Sequence, residues 1–136
     1  MTGSRDPWLN NQLKEHMNQF SSRIRPFVDA ELAAARDAEL RKDNDLGFGH
    51  LERAHILGQA STREHVRVHF RMLQWGARQR DLRECIGQIA RIIGAASKTA
   101  FGLVPSGNTG GSRVSPFLRM PMPPDLAERI YDAQRK

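Results

Sequence analysis

The chain of 136 residues has the length of one domain, and its 39% hydrophobic and 26% charged residues, with few aromatics, exclude overall disorder and favour helices over a β-sandwich. A net charge of +6 and a pI of about 10.4 favour acidic partners or anions, although a GC-rich genome would give the same arginine bias without any function. The single cysteine excludes an intrachain disulfide, and without a signal-like or membrane-spanning stretch we expect a cytoplasmic protein.

Two helices are predicted in the first third of the chain. Residues 1–9 predict an irregular lead-in, and apolar residues at helical spacing then predict a helix over residues 10–24. Pro26 should interrupt it, because proline suits the first turn of a helix and is unfavourable inside one. The second helix is therefore predicted over residues 26–42, which contain the strongest helix formers in the chain.

Three further helices follow in the middle of the chain. The first is predicted over residues 46–57, after a cluster of Asp and Asn residues that supplies N-cap chemistry. Ser61 and Glu64 have the spacing of a capping box, which predicts the next helix over residues 62–78. The last core helix is predicted over residues 81–102.

Two of these helices resemble each other in sequence. The block from Asp45 to Gly58 aligns without gaps on the block from Asp81 to Gly94, at an offset of 36 residues. Each block follows another helix, so the repeating unit would be a helical hairpin of about tetratricopeptide length. We therefore predict an all-α fold of antiparallel helical hairpins, a tetratricopeptide-like repeat pair with flanking helices.

The C-terminal part of the chain differs in composition. Glycine and proline interrupt regular structure after residue 102, and a short terminal helix is predicted over residues 125–134. The predicted organisation is thus a lead-in over residues 1–9, a single helical domain over residues 10–102, and an irregular tail over residues 103–136 whose helix packs on the domain.

Four histidines are candidate metal ligands. His65 and His69 are four residues apart, so their rings project from one helix face, which is predicted to point inward. On the preceding helix, His50 is predicted on the apolar side and His55 at its border, and either could supply a further ligand. Imidazole donors favour zinc, copper, nickel or cobalt over magnesium. The alternative is that these histidines are hydrogen-bonded core residues.

We predict no enzymatic activity. The histidine pair lacks the intervening glutamate of a metalloprotease motif, and no Ser, His and Asp arrangement stands out. Glu64 is explained by the capping box, and Cys85 by burial as a small hydrophobic residue.

A glycine-rich segment is a candidate anion site. Its residues are Gly107, Asn108, Thr109, Gly110 and Gly111. Backbone amides of such a segment can bind a phosphate or carboxylate, but the Lys-Ser/Thr ending of a P-loop is missing. The alternative interpretation is that the segment is only a tight structural turn.

Three arginines form a candidate partner surface. Arg63, Arg67 and Arg71 lie on the stripe opposite the histidines and are predicted to be solvated. They could bind an acidic protein surface, or they could simply be the polar face that any helix needs. The absence of a helix-turn-helix signature and of interleaved aromatics disfavours nucleic-acid binding.

Several segments resemble a known family. They are L-E-R-A-H (Leu51–His55), R-E-H-V-R-V-H-F-R-M-L (Arg63–Leu73), G-N-T-G-G (Gly107–Gly111) and S-P-F-x-x-M-P-x-P-P (Ser115–Pro124). Together they resemble a bacterial family, domain of unknown function 3703, over about residues 23 to 128. The resemblance implies no established activity. Members are often encoded beside heavy-metal tolerance functions, which implies a link to metals without identifying any ligand.

The sequence therefore favours a small helical protein that binds a transition metal, such as zinc or copper, through His65, His69, His50 and His55. The competing hypothesis is a protein-interaction scaffold in which the same histidines only order the core. The sequence leaves the oligomeric state open.

Overall fold

The prediction of an all-α fold built from helical hairpins is confirmed. The computed structural model describes residues 6–96, 107–115 and 118–135. The helices within these ranges are α1 (Pro7–Leu40), α2 (Asn44–Gly58), α3 (Thr62–Gln79), α4 (Leu82–Ala96) and α5 (Pro124–Arg135). α1 packs against α2 and α3 packs against α4, while contacts between α2 and α3 join the two hairpins. None of the helices in these ranges is long and apolar enough to cross a membrane.

The prediction of two helices separated at Pro26 is wrong. α1 is continuous through Pro26, although this proline has no N–H to donate to the carbonyl one turn earlier. Its buried residues keep one helical register on both sides of the proline; they are Phe20, Ile24, Val28, Leu32, Ala35 and Ala38. Burial of this uninterrupted stripe offsets the lost hydrogen bond, so tertiary packing overrides the local preference.

The helical part of the chain also begins earlier than predicted. α1 starts at Pro7, inside the segment predicted to be an irregular lead-in, and residues 1–5 lie outside the described residues. The side chain of Asp6 accepts a hydrogen bond from the backbone N–H of Trp8 at 3.0 Å and caps the helix. Proline is favourable at the first helical position, so this pair is a helix start signal.

The apolar core lies where α1, α2, α3 and α5 meet. α2 contributes Leu51, Ala54 and Leu57, and α3 contributes Val68 and Met72, all with at most 1% of their surface exposed. From the tail, Leu126 and Ala133 of α5 pack into the same cluster. α5 is further held by a 2.6 Å hydrogen bond from the guanidinium of Arg23 to the carbonyl of Ala133.

The two blocks that resemble each other in sequence fall on α2 and α4, the second helix of each hairpin. This placement agrees with a repeat of hairpins, while a tetratricopeptide-like repeat stays a prediction. α4 is described as far as Ala96, and the predicted continuation over residues 97–102 lies outside the described residues.

α4 is oriented against its hydropathy pattern. Four of its five large aliphatic side chains are about half to three-quarters exposed; they are Leu82, Ile86, Ile89 and Ile93. The residues that it buries are polar: Glu84 is 3% exposed and Gln88 is fully buried. Buried polar groups need hydrogen-bond partners, and Gln88 has one of its partners in His69 of α3.

Candidate metal centre

Three of the five histidines meet inside the molecule. His55 comes from α2, and His65 and His69 come from successive turns of α3. Each is only 2 or 3% exposed. Their ring centroids lie 4.7 to 4.8 Å apart in all three pairs, so the rings form a compact triangle that we call the histidine cluster.

The start of α3 sets the position of His65. The side chain of Ser61 accepts the backbone N–H of Glu64 at 3.3 Å, which is half of the predicted capping box. The other half is absent, because Ser61 donates its own N–H to Gly58 and the Glu64 carboxylate pairs with Arg67 at 2.7 Å. The capping-box prediction is therefore only half right, yet the helix begins at Thr62 as predicted.

The nitrogen atoms of the histidine cluster converge on one point. The Nε2 atom of His65 lies 3.0 Å from Nε2 of His55 and 3.0 Å from Nε2 of His69. The candidate ligand atoms of the three residues all lie within 4.8 Å of one another. One donor atom from each ring can therefore contact a single ion.

Carbonyl groups fix the tautomers of two of these rings. Nδ1 of His55 lies 2.7 Å from the backbone oxygen of Asn108, and Nδ1 of His69 lies 2.6 Å from Oε1 of Gln88. A carbonyl oxygen only accepts, so both histidines carry their proton at Nδ1 and donate it. The Nε2 atoms of His55 and His69 are then unprotonated and present lone pairs to the centre of the cluster.

The orientation of the Gln88 amide follows from its other partners. Its Nε2 donates to Oε1 of Glu84 at 2.5 Å and to the backbone oxygen of Gly110 at 2.9 Å. Glu84 is held in turn by Ser112, whose backbone N–H and hydroxyl both donate to Oε2. Because two acceptors surround the amide nitrogen, the amide oxygen must face His69.

Hydrogen bonding within the cluster leaves it incompletely satisfied. A neutral His65 has one proton, so its Nε2 can donate to either His55 or His69 but cannot make a straight hydrogen bond to both. Its Nδ1 atom is buried and has no hydrogen-bond partner among the described residues. A cation at the centre would contact the lone pairs of all three Nε2 atoms at once, which the imidazoles cannot do for one another.

Burial keeps the cluster uncharged. Desolvation lowers the pKa of His65 to about 4, with a smaller contribution from the positive charge of Arg91. Desolvation, followed by repulsion from His65, lowers the pKa of His69 to about 3. The pKa of His55 is also well below its usual value, for the same reason of burial. Neutral imidazole is the form that ligates metals.

The spacing of the nitrogens fits a first-row transition metal. Two imidazole nitrogens at about 2.0–2.1 Å from a tetrahedral zinc ion are about 3.3–3.4 Å apart. The observed separations of 3.0 Å would have to grow by only a few tenths of an ångström. Three protein ligands also leave a further coordination position for a small ligand.

The glycine-rich segment packs directly against the cluster. Gly107 and Gly110 have φ angles of 75° and 80°, and a Cβ atom on Gly110 would lie 2.6 Å from Cδ2 of His55. The Asn108 side chain, 1% exposed, accepts the N–H of Gly110 and donates to the backbone oxygens of Ser115 and Leu118. The segment is thus a tight turn that brings carbonyl groups to His55 and Gln88, and anion binding by its amides stays a prediction.

Comparison with protein families matches residues 22–130 of the chain to the family described as "Protein of unknown function (DUF3703)". The chain belongs to the DUF3703 family. The matched range contains the histidine cluster, Gln88 and the glycine-rich segment. Neither a curated protein nor a solved structure matches this DUF3703 member.

The fourth candidate ligand of this DUF3703 member, His50, is not part of the cluster. Its Nδ1 atom lies 2.7 Å from a carboxylate oxygen of Glu31 on α1, and its side chain is 26% exposed. The other oxygen of Glu31 accepts a hydrogen bond from Arg53. Of the four predicted ligands, the structure therefore brings together His55, His65 and His69 and places His50 in a separate ionic contact.

The predicted arginine stripe is only partly solvated. Arg63 is exposed, whereas Arg67 and Arg71 are half-buried. Arg67 reaches α1, where it pairs with Asp29. The prediction of a fully solvated stripe is wrong for these two arginines, because α1 lies beside this face of α3.

The sequence did not predict the groups that hydrogen-bond to the outer nitrogens of His55 and His69 and fix their orientation. They are Gln88, which Glu84 holds in turn, and the backbone carbonyl of Asn108. The Asn108 contact carries no sequence signal, since any residue has a carbonyl. Glu84 and Gln88 are one helical turn apart, but they lie opposite the aliphatic stripe and therefore look solvated in the sequence.

Proposed function

We propose that this protein binds one transition-metal ion through the Nε2 atoms of His55, His65 and His69. The observation that carries the proposal is the convergence of three buried Nε2 atoms, two of which are kept unprotonated by carbonyl groups behind them. The role is binding rather than catalysis.

The hydrogen bonds behind the ligands support a metal site over a merely hydrogen-bonded core. Metal-ligating histidines generally donate their second ring N–H to a carbonyl or carboxylate, which fixes the tautomer and the ring orientation. His55 and His69 both do so. In a core held only by internal hydrogen bonds, each ring nitrogen that accepts would face one that donates. Here the Nε2 atoms of His55 and His69 are both acceptors, and both face the same Nε2 atom of His65.

The ligand set defines the class of metal. Three neutral imidazoles suit zinc, copper, nickel or cobalt, whereas magnesium and calcium prefer oxygen ligands. Cys85 adds no thiolate, because it is not a member of the metal-binding group found among the described residues. Zinc and copper are the ions that we propose to test first.

Calorimetric titration of chelator-treated protein tests the proposal. We expect one equivalent of zinc or copper to bind to the natural protein and binding to be lost in the double variant His65→Ala, His69→Ala. The matched control is His50→Ala, which removes an imidazole that contacts Glu31 outside the cluster and should leave binding unchanged.

Because both substitutions in the double variant empty part of the core, its fold should be checked by circular dichroism. The single variant His55→Gln, which retains a polar side chain of similar size, provides a second route to the same loss. Binding no tighter than a nonspecific background in the natural protein, or equal binding in all variants, would contradict the proposal.

A further inference from the structure

A second candidate site lies between α1 and α3, separate from the histidine cluster. The two helices border a groove of about 490 Å³, within the range of about 300–1,000 Å³ typical of small-molecule sites. Its lining residues are Leu32, Ala33, Arg36, Asp37, Arg67 and Arg71. We call it the arginine groove.

One of its three arginines is already neutralised. Arg67 pairs with Asp29 and, at 2.7 Å, with Glu64. By contrast, Arg36 and Arg71 form no ion pair within the described parts of the chain. The groove therefore presents two uncompensated guanidinium groups.

Of these two arginines, Arg71 is the one with an unsatisfied buried N–H group and a lowered pKa. Its Nε atom is inaccessible to solvent and has no hydrogen-bond partner in the described structure. Burial lowers its pKa, and the charges of Arg36 and Arg78 lower it further, while Glu39 acts in the opposite direction. That carboxylate is already engaged by Arg78 at 2.6 Å. An anion beside Arg71 would pair with its guanidinium group and relieve the repulsion from Arg36 and Arg78.

We propose that the arginine groove binds a phosphate group, with Arg36 and Arg71 as its ligands. Two guanidinium groups match the double negative charge of phosphate, and their planar N–H forks match its oxygens. Asp37 is the carboxylate among the lining residues and would disfavour an anion at its own end of the groove. The groove is larger than a phosphate ion, and Leu32 and Ala33 offer an apolar surface for an organic group attached to it.

Titration of metal-free protein with inorganic phosphate and with phenyl phosphate, at constant ionic strength, tests this site. We expect saturable binding at one site, weakened at least tenfold by Arg71→Gln and by Arg36→Gln. Arg36 is exposed, so its substitution cannot act by unfolding the core. Tighter binding of phenyl phosphate would identify a phosphate monoester as the ligand, and equal binding would identify free phosphate.

The matched control is Arg63→Gln, which removes an exposed arginine of the same helix that does not line the groove. This variant should bind phosphate as the natural protein does. The double variant His65→Ala, His69→Ala should also keep phosphate binding if it folds, so the two sites can fail independently. No saturable binding, or the same affinity in Arg63→Gln and Arg71→Gln, would overturn the proposal.

Discussion

His69 and Gln88 share a buried hydrogen bond of 2.6 Å that connects the histidine cluster to α4. The amide nitrogen of Gln88 is occupied by Glu84 and Gly110, so the bond runs from the Nδ1–H of His69 to the amide oxygen. The lone pair of His69 Nε2 is thereby directed toward His65. The cluster thus depends on α4 and on the glycine-rich segment as well as on the helices that carry the histidines.

Replacing Gln88 by leucine should weaken zinc or copper binding roughly 10- to 100-fold, because His69 would lose the partner that fixes its tautomer. Calorimetric titration measures the change. Gln19→Leu is the matched control, because Gln19 is exposed on α1. This variant should bind the metal with unchanged affinity. Equal affinities for the two variants would show that the amide does not orient a ligand.

Replacing Gly110 by alanine should destabilise the protein by about 1–3 kcal/mol. The residue has a φ angle of 80°, and the new Cβ would overlap the ring of His55. Urea unfolding gives the free energy. Gly49→Ala in α2 is the control: its Cβ meets no atom within 4 Å, and alanine should stabilise the helix by about 0.5–1 kcal/mol. A neutral effect of Gly110→Ala would mean that the segment does not press on His55.

The metal-free protein should lose stability in mild acid. The pKa values of His65 and His69 are about 4 and about 3 in the folded protein, against about 6.5 in an unfolded chain. Between these values the unfolded chain binds more protons, so stability falls as the pH drops from about 6.5 toward 4. The expected slope is about 1.4 kcal/mol per pH unit for each histidine.

Urea unfolding of metal-free protein at a series of pH values measures this slope. The double variant His65→Leu, His69→Leu should show a shallower dependence over the same window, because these two groups no longer titrate. An unfolding free energy of the natural protein that stays constant between pH 7 and pH 5 is incompatible with a neutral, buried cluster.

Replacing Pro26 by alanine should stabilise the protein by about 1–3 kcal/mol, because the substitution restores an N–H donor inside α1 and removes the ring that opposes the helix. Thermal or urea unfolding tests this. Pro7→Ala is the control at the first helical position, where proline costs nothing, and should change stability by less than about 0.5 kcal/mol. A lower free energy of unfolding for Pro26→Ala would contradict this prediction and show that the proline stabilises α1.

The sequence predicted the fold class and most helices, because their apolar spacing and caps act locally. The start of α3 at Thr62 follows from the Ser61 cap alone, even though the Glu64 carboxylate turned elsewhere. Pro26 shows the limit of this reasoning: the local rule breaks the helix, and the packing of a stripe on both sides of it decides otherwise.

The candidate site could be predicted only in part. The spacing of His65 and His69 placed both on one face. On the neighbouring helix, however, the apolar pattern favoured His50 over His55 as the inward residue, and the structure shows the reverse. The rotation of α2 about its axis decides which of the two joins the cluster: His50 faces Glu31, and His55 faces His65. The contribution of α4 was hidden because its aliphatic stripe suggests the opposite face for burial.

The proposed metal ligands are the Nε2 atoms of three rings, and nitrogen-15 NMR of the histidine side chains observes these atoms directly. In metal-free protein, His55 and His69 should show the tautomer protonated at Nδ1. One equivalent of zinc should shift the Nε2 resonances of His55, His65 and His69 together and leave those of His16 and His50 unchanged. Unaltered spectra on adding zinc, or a shift confined to the histidines outside the cluster, would contradict metal binding by the histidine cluster.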